Sequence, residues 1–167
     1  MQRRKFLVST VLLAAAGRAV AQQPLKPWPG VVTPPLELPD LDGKTHRLAD
    51  YRGKAVLLNF WATWCEPCRE EMPSIERLRE QLAGKPFAVL AVNVGESAEK
   101  ARAFATTMPI GFPLLLDRDI KASRAWGARV LPATYLIGAD GVARFSYLGQ
   151  LDWAKPEVRA VIEKLMR

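Results

Sequence analysis

The sequence predicts an α/β domain, a central mixed β-sheet flanked by helices on both faces. Two apolar runs, Ala55–Trp61 and Phe87–Val94, have the composition of strands covered on both sides. Each is followed by a stretch with apolar residues at helical spacing, and Gly84, Pro86 and Asp140-Gly141 supply the breaks. Strand, helix, strand, helix in succession requires parallel pairing through crossover connections.

The elements follow in order. Residues 1–21 read as an export signal: Arg3, Arg4 and Lys5 precede an uncharged stretch that Arg18 closes, and Ala19-Val20-Ala21 offers a small-x-small cleavage site. The stretch is shorter than the roughly 20 apolar residues of a spanning helix, so a membrane anchor is the weaker reading and requires that cleavage fail. The Arg3-Arg4 pair looks like a twin-arginine signal, with general secretion the alternative because Gln2 precedes it. Residues 22–35, with five prolines, read as an extended lead-in. Leu36, Leu38 and the Asp42-Gly43 turn before Thr45 predict a short N-terminal β-hairpin. After Ala55–Trp61 comes a helix carrying Met72, Ile75, Leu78 and Leu82, ended by Gly84 and Pro86. After Phe87–Val94, residues 97–107 form a helix with Ala101, Phe104 and Ala105 inward. Residues 113–116 form a third strand, 120–126 a short helix and 134–137 a fourth strand. Asp140-Gly141 turns the chain into 142–147, expected as the antiparallel edge, and Pro156 opens a last helix through Val158, Val161, Ile162 and Leu165.

The 167 residues carry 24 basic and 17 acidic side chains, a formal charge of +7. With Arg3, Arg4, Lys5 and Arg18 removed, 20 basic residues stand against 17 acidic, a charge of +3. No Lys/Arg cluster with interleaved aromatics points to nucleic acid.

Both cysteines lie in Trp64-Cys65-Glu66-Pro67-Cys68, where an apolar strand gives way to a helix. Two thiols spaced so can close a disulfide across one helical turn and exchange electrons with other thiols. Near a helix N-terminus, free N–H groups and the macrodipole stabilise a thiolate, which makes Cys65 the expected nucleophile and Cys68 the resolving thiol. Pro67 fits the first turn, where no N–H is needed. A purely structural disulfide gains little from so short a loop. Zinc would need further ligands beyond the two thiols and His46, and haem attachment requires His where Arg69 stands. No cofactor or metal is expected.

The run Asn59-Phe60-Trp61-Ala62-Thr63-Trp64-Cys65-Glu66-Pro67-Cys68, with Glu71 and Pro73, closely resembles the TlpA/ResA-like family of exported thioredoxin-fold proteins. So do Asp42-Gly43 with Arg52-Gly53-Lys54, Val92-Asn93-Val94-Gly95-Glu96-Ser97, and Pro132-Ala133-Thr134-Tyr135-Leu136-Ile137 before Asp140-Gly141. The resemblance spans residues 36–167 and implies one thioredoxin-fold domain with an N-terminal hairpin and a family-type insertion around residues 95–108. It implies a periplasmic thiol-disulfide oxidoreductase, usually a reductant, with apocytochrome c or copper-site cysteines as typical substrates and a membrane thiol reductase as electron donor. A monomer is expected.

By the same resemblance Pro132 matches a cis-proline packed against the disulfide, leaving the backbone of Leu131 free for a substrate strand. Unaided, a trans proline at a strand start is the default, since about one X-Pro bond in twenty is cis. Glu71 matches a family glutamate that relays protons to Cys68, or is an early-helix acid that merely suits the dipole. Asn59 stands where ordinary thioredoxins keep a buried Asp, which gives weight to Glu71. Trp64, Glu66, Pro67 and Leu131 are expected to meet the substrate, with Trp64 covering the disulfide. Glu66, Glu70 and Glu71 crowd acidic charge near Cys65 against Arg69, which predicts a raised thiol pKa and a reductant. Ala133 and Trp126 depart from the family pattern near the expected docking site.

Two other functions compete. A thiol peroxidase of this fold would carry Pro and Thr seven and three residues before its cysteine, where Leu58 and Ala62 stand. A copper-delivery protein would use the two thiols, with Met72 and His46 assisting.

Overall fold

The computed structural model describes residues 25–30 and 32–167; the expected export signal lies outside them. In chain order the elements are β1 (Lys26–Pro27), β2 (Glu37–Pro39), β3 (Thr45–Arg47), a 3-10 turn (Leu48–Tyr51), β4 (Ala55–Trp61), α1 (Glu66–Gln81) and β5 (Phe87–Val94). There follow α2 (Ala98–Ala105), β6 (Leu114–Asp117), α3 (Lys121–Ala125), β7 (Ala133–Ile137), β8 (Ala143–Leu148) and α4 (Pro156–Lys164).

The central sheet runs β1-β8-β7-β4-β5-β6, parallel between β4, β5 and β6 and antiparallel elsewhere. Strand alternation divides the core. On β4, Val56, Leu58 and Phe60 join a cluster with Leu36, Leu48, Trp126 and Tyr135. Leu57 and Trp61 face the opposite way, into a cluster with Met72, Ile75 and Leu78 of α1 and Val158 and Ile162 of α4. Asn59 therefore points beneath α1. Helices α1, α2 and α4 contribute to this cluster, while the other face is covered by α3, the 3-10 turn and the hairpin. The family-type insertion expected around residues 95–108 contains α2, which leads into β6.

One expectation is corrected. Strand β8 is not the sheet edge, because Lys26 and Pro27 of the lead-in pair with Ser146 and Phe145. An extended, proline-rich segment can add a short strand where one face of its backbone needs no partner. Trp28 then fixes it, with its ring 5.3 Å from Tyr135 and 5.8 Å from Trp126.

The hairpin forms as the Asp42-Gly43 turn requires: Gly43 has φ +84°, and Asp40 Oδ1 accepts from the N–H groups of Asp42 and Lys44 at 2.9 Å each. His46 is buried between Asp40 Oδ2 at 2.8 Å and the Tyr51 hydroxyl at 2.6 Å. Among the described residues no helix is long and apolar enough to cross a membrane.

Candidate active site

Helix α1 begins at the cysteines. Cys65 is its N-cap, in extended conformation with no side-chain cap bond, and Pro67 lies in the first turn. The missing cap forgoes about 1 kcal/mol. Met72, Ile75 and Leu78 are fully buried, at roughly 1.5–3 kcal/mol each, so packing holds the helix against the sheet. Cys65 and Cys68 form a disulfide with Cα atoms 5.3 Å apart. Cys65 is 5% exposed and Cys68 is fully buried.

One turn beyond Cys68, Glu71 is enclosed. Its Oε1 accepts from Asn59 Nδ2 at 2.8 Å, and its Oε2 accepts from the Leu151 N–H at 3.2 Å and Trp153 Nε1 at 3.1 Å. Asn59 Nδ2 also donates to Thr134 Oγ1 at 2.9 Å, across the β4–β7 register that pairs the two residues. Ser74 ties α1 to the segment between β8 and α4: its hydroxyl lies 2.7 Å from the Glu71 carbonyl and accepts from the Trp153 N–H at 3.0 Å. Burial pushes the Glu71 carboxyl up to about 7, and the bonds from Trp153, Leu151 and Asn59 oppose that rise only in part. Glu71 is thus an interior acid, not a solvated early-helix one. Glu66, Glu70 and Arg69 are exposed. Their charges are screened by solvent, so the acidic crowding read from the sequence reduces to one buried carboxyl.

Leu131-Pro132 is a cis peptide, and Pro132 is buried. Phe60 lies opposite Ala133 on antiparallel β4 and β7. The chain leaving β4 for Cys65 and the chain entering β7 through Pro132 therefore meet at one end of the sheet. There Gly149, at φ +108°, donates its N–H to the Pro132 carbonyl at 2.9 Å. Trp64 is 70% exposed, Val130 60% and Leu148 57%, an apolar trio flanking these segments, while Leu131 is half-buried and Pro67 exposed. Trp126 lies 1% exposed in the aromatic core with Phe60 and Tyr135, and Ala133, next to Pro132, is also buried.

Two contributors had no site role assigned from the sequence, Trp153 outside every motif and Glu96 within the Val92–Ser97 motif. Trp153 reaches Glu71 across 82 positions of sequence. Glu96 is 8% exposed and clamps the loop before Cys65: it accepts from the Thr63 N–H and hydroxyl at 2.7 Å each and from Asn93 Nδ2 at 2.8 Å. Burial raises its pKa, but the Thr63 bonds, then Asn93 and the Lys100 charge, hold it below the ordinary value. Its stabilising contribution is present above a carboxylate's usual 4.5 and is lost as pH falls. Glu96→Ala strands these donors and is expected to destabilise the fold by about 2–3 kcal/mol in urea unfolding. An unchanged midpoint would show that the clamp contributes nothing.

The AhpC/TSA family model matches residues 29–146. The chain belongs to the AhpC/TSA family. Within this family it is similar to the thiol-disulfide oxidoreductase ResA of Geobacillus thermodenitrificans, 38% identical over 81% of this chain and 77% of the relative. The thioredoxin-like protein YneN of Bacillus subtilis is 43% identical over 73% and 72%. Among solved structures it resembles the exposed lipoprotein thioredoxin Etrx1 of Streptococcus pneumoniae, with TM-score 0.66 and 29% identity over 79% of this chain and 98% of that one. A thiol:disulfide interchange protein of Chlorobium tepidum, at 24% identity and TM-score 0.70 over 88% and 100%, shares the fold. This AhpC/TSA-family chain has a thioredoxin fold and is a thiol-disulfide oxidoreductase acting on protein thiols.

Proposed function

We propose that the protein is an exported, periplasmic reductant that passes electrons from a Cys65-Cys68 dithiol to disulfides of other proteins. The buried Glu71, one turn from the buried Cys68 and titrating near neutrality, carries this reading. Such an acid can take a proton from a thiol that has no access to water.

In the reduced protein the Cys65 thiolate, favoured at the N-terminus of α1, attacks one sulfur of the partner disulfide. A mixed disulfide forms and the partner's other sulfur leaves as thiolate. Cys68 gives its proton to Glu71 and attacks Cys65, closing the Cys65–Cys68 disulfide and expelling the second partner thiolate. Two electrons move to the partner, and the two released protons end on its thiols. Pro132 and the backbone of Leu131, with Trp64, Glu66 and Pro67, form the surface on which the partner's strand lies. A membrane thiol reductase returns the protein to its dithiol form, and apocytochrome c or copper-site cysteines are the proposed substrates. Residues 1–21 direct export.

The rival functions find less support. Leu58 and Ala62, where a peroxidase needs Pro and Thr, are fully buried apolar side chains. His46, a suggested copper ligand, has both ring nitrogens engaged by Asp40 and Tyr51.

The test is the reduction potential of the Cys65-Cys68 couple in defined thiol buffers. A reductant sits near or below about −270 mV; a value near −120 mV would identify a disulfide donor and overturn the proposal.

A further inference from the structure

Glu71 is held from two directions. Asn59 on β4 contacts one carboxylate oxygen, and the other is met by the Leu151 N–H and the Trp153 indole, both in the segment between β8 and α4. Trp153 is fully buried, packed edge-on against Tyr147 at 6.2 Å, and anchored through its own N–H to Ser74 on α1. Its ring nitrogen therefore has a fixed aim, and its N–H is bonded to Glu71 whereas the buried indole N–H groups of Trp28, Trp61 and Trp126 have no partner among the described residues.

We infer that Trp153 is a positioning residue for disulfide exchange: its indole N–H orients the Glu71 carboxylate and favours its charged form, so this segment sets when Glu71 takes the Cys68 proton. The inference rests on the proposed relay role of Glu71. It extends that reading to a side chain outside the Cys65-Cys68 motif, in the same buried cluster as both cysteines.

The carboxylate's hydrogen-bond partners are all uncharged: Asn59, Leu151 and Trp153. Glu66, Arg69, Glu70, Arg77 and Glu80 of α1 and Arg144 of β8 are exposed, Glu76 pairs with Arg79, the two cysteines are joined as a disulfide, and the remaining titratable groups flanking Trp153 are Tyr147 on β8 and Asp152 beside it. Asp152 is exposed and lies 3.5 Å from Arg77. None of these replaces the indole as a donor.

The experiment follows the Glu71 carboxyl carbon by NMR in oxidised protein labelled at glutamate, with Glu71→Gln identifying the resonance. In Trp153→Phe the titration midpoint is expected to rise by about one pH unit, a tenfold change in proton affinity, because a bond to the charged form is lost. Site-specific benzothienylalanine at position 153, which keeps the indole's shape but replaces the N–H by sulfur, is expected to give the same shift and covers the case in which Trp153→Phe misfolds. The pH profile of dithiol exchange is expected to move equally in these variants and not to move when either is combined with Glu71→Gln. An unmoved midpoint in the benzothienylalanine protein overturns the role of Trp153. A midpoint that moves while Glu71→Gln alone keeps the wild-type exchange profile overturns the relay reading, and with it the place of Trp153 in exchange.

Discussion

Replacing Cys65 by serine is expected to abolish disulfide exchange, with a loss on the order of 10³-fold or more, because a hydroxyl is not ionised at neutral pH and cannot act as the attacking sulfur. Cys68→Ser is expected to behave differently. Cys65 still attacks, but nothing resolves the product, so the mixed disulfide with a model protein substrate should accumulate and be visible by mass and on non-reducing gels. The asymmetry follows from position. Cys65, at the helix N-cap, keeps 5% of its surface exposed, whereas Cys68 is closed to solvent and a partner's sulfur cannot reach it first. Turnover by Cys68→Ser, or faster alkylation of Cys68 than Cys65 in the reduced protein, would reverse the roles. Neither substitution should unfold the domain: a bridge over three positions constrains the unfolded chain little, about 2 kcal/mol by loop-closure entropy.

The second large effect is expected at Glu71. Its pKa is raised to about 7 from the ordinary 4.5, chiefly by burial. Between those values the folded protein holds a proton that the unfolded chain has released, so stability falls as pH rises from about 4.5 to about 7. The full loss is about 3 kcal/mol. Glu71→Gln removes the ionisation and should flatten this part of the stability–pH curve of the oxidised protein, leaving it more stable than wild type at pH 8. The amide can be accommodated: its oxygen keeps the Trp153 and Leu151 donors, and Asn59, whose Oδ1 has no partner among the described residues, can turn to accept from it. In exchange assays the same variant is expected to lose the inflection near neutrality and about 10²-fold in rate. A wild-type curve that is flat between pH 5 and 7.5 would mean that Glu71 ionises normally despite its enclosure.

Local pattern was enough for most elements. The apolar runs of β4 and β5 and the three-and-four spacing of Met72, Ile75, Leu78 and Leu82 mark buried strands and an amphipathic helix whatever surrounds them, because period and composition are properties of the chain itself. The cysteine pair was legible for the same reason, since three positions along a helix make one turn. The lead-in strand was not. Lys26 and Pro27 have no strand pattern of their own, and their pairing depends on β8 and on the aromatic seat of Trp28.

The sequence by itself therefore determined the α/β class, the order of elements, and two sulfurs at the start of a helix. It also named Glu71, but could not say whether that carboxyl faced water or the core. Tertiary structure decided that, by bringing Asn59, Leu151 and Trp153 around it from β4 and from a segment eighty or more positions away. Hydrogen bonding and desolvation act through space, so a group's proton affinity is set by neighbours that sequence order does not record.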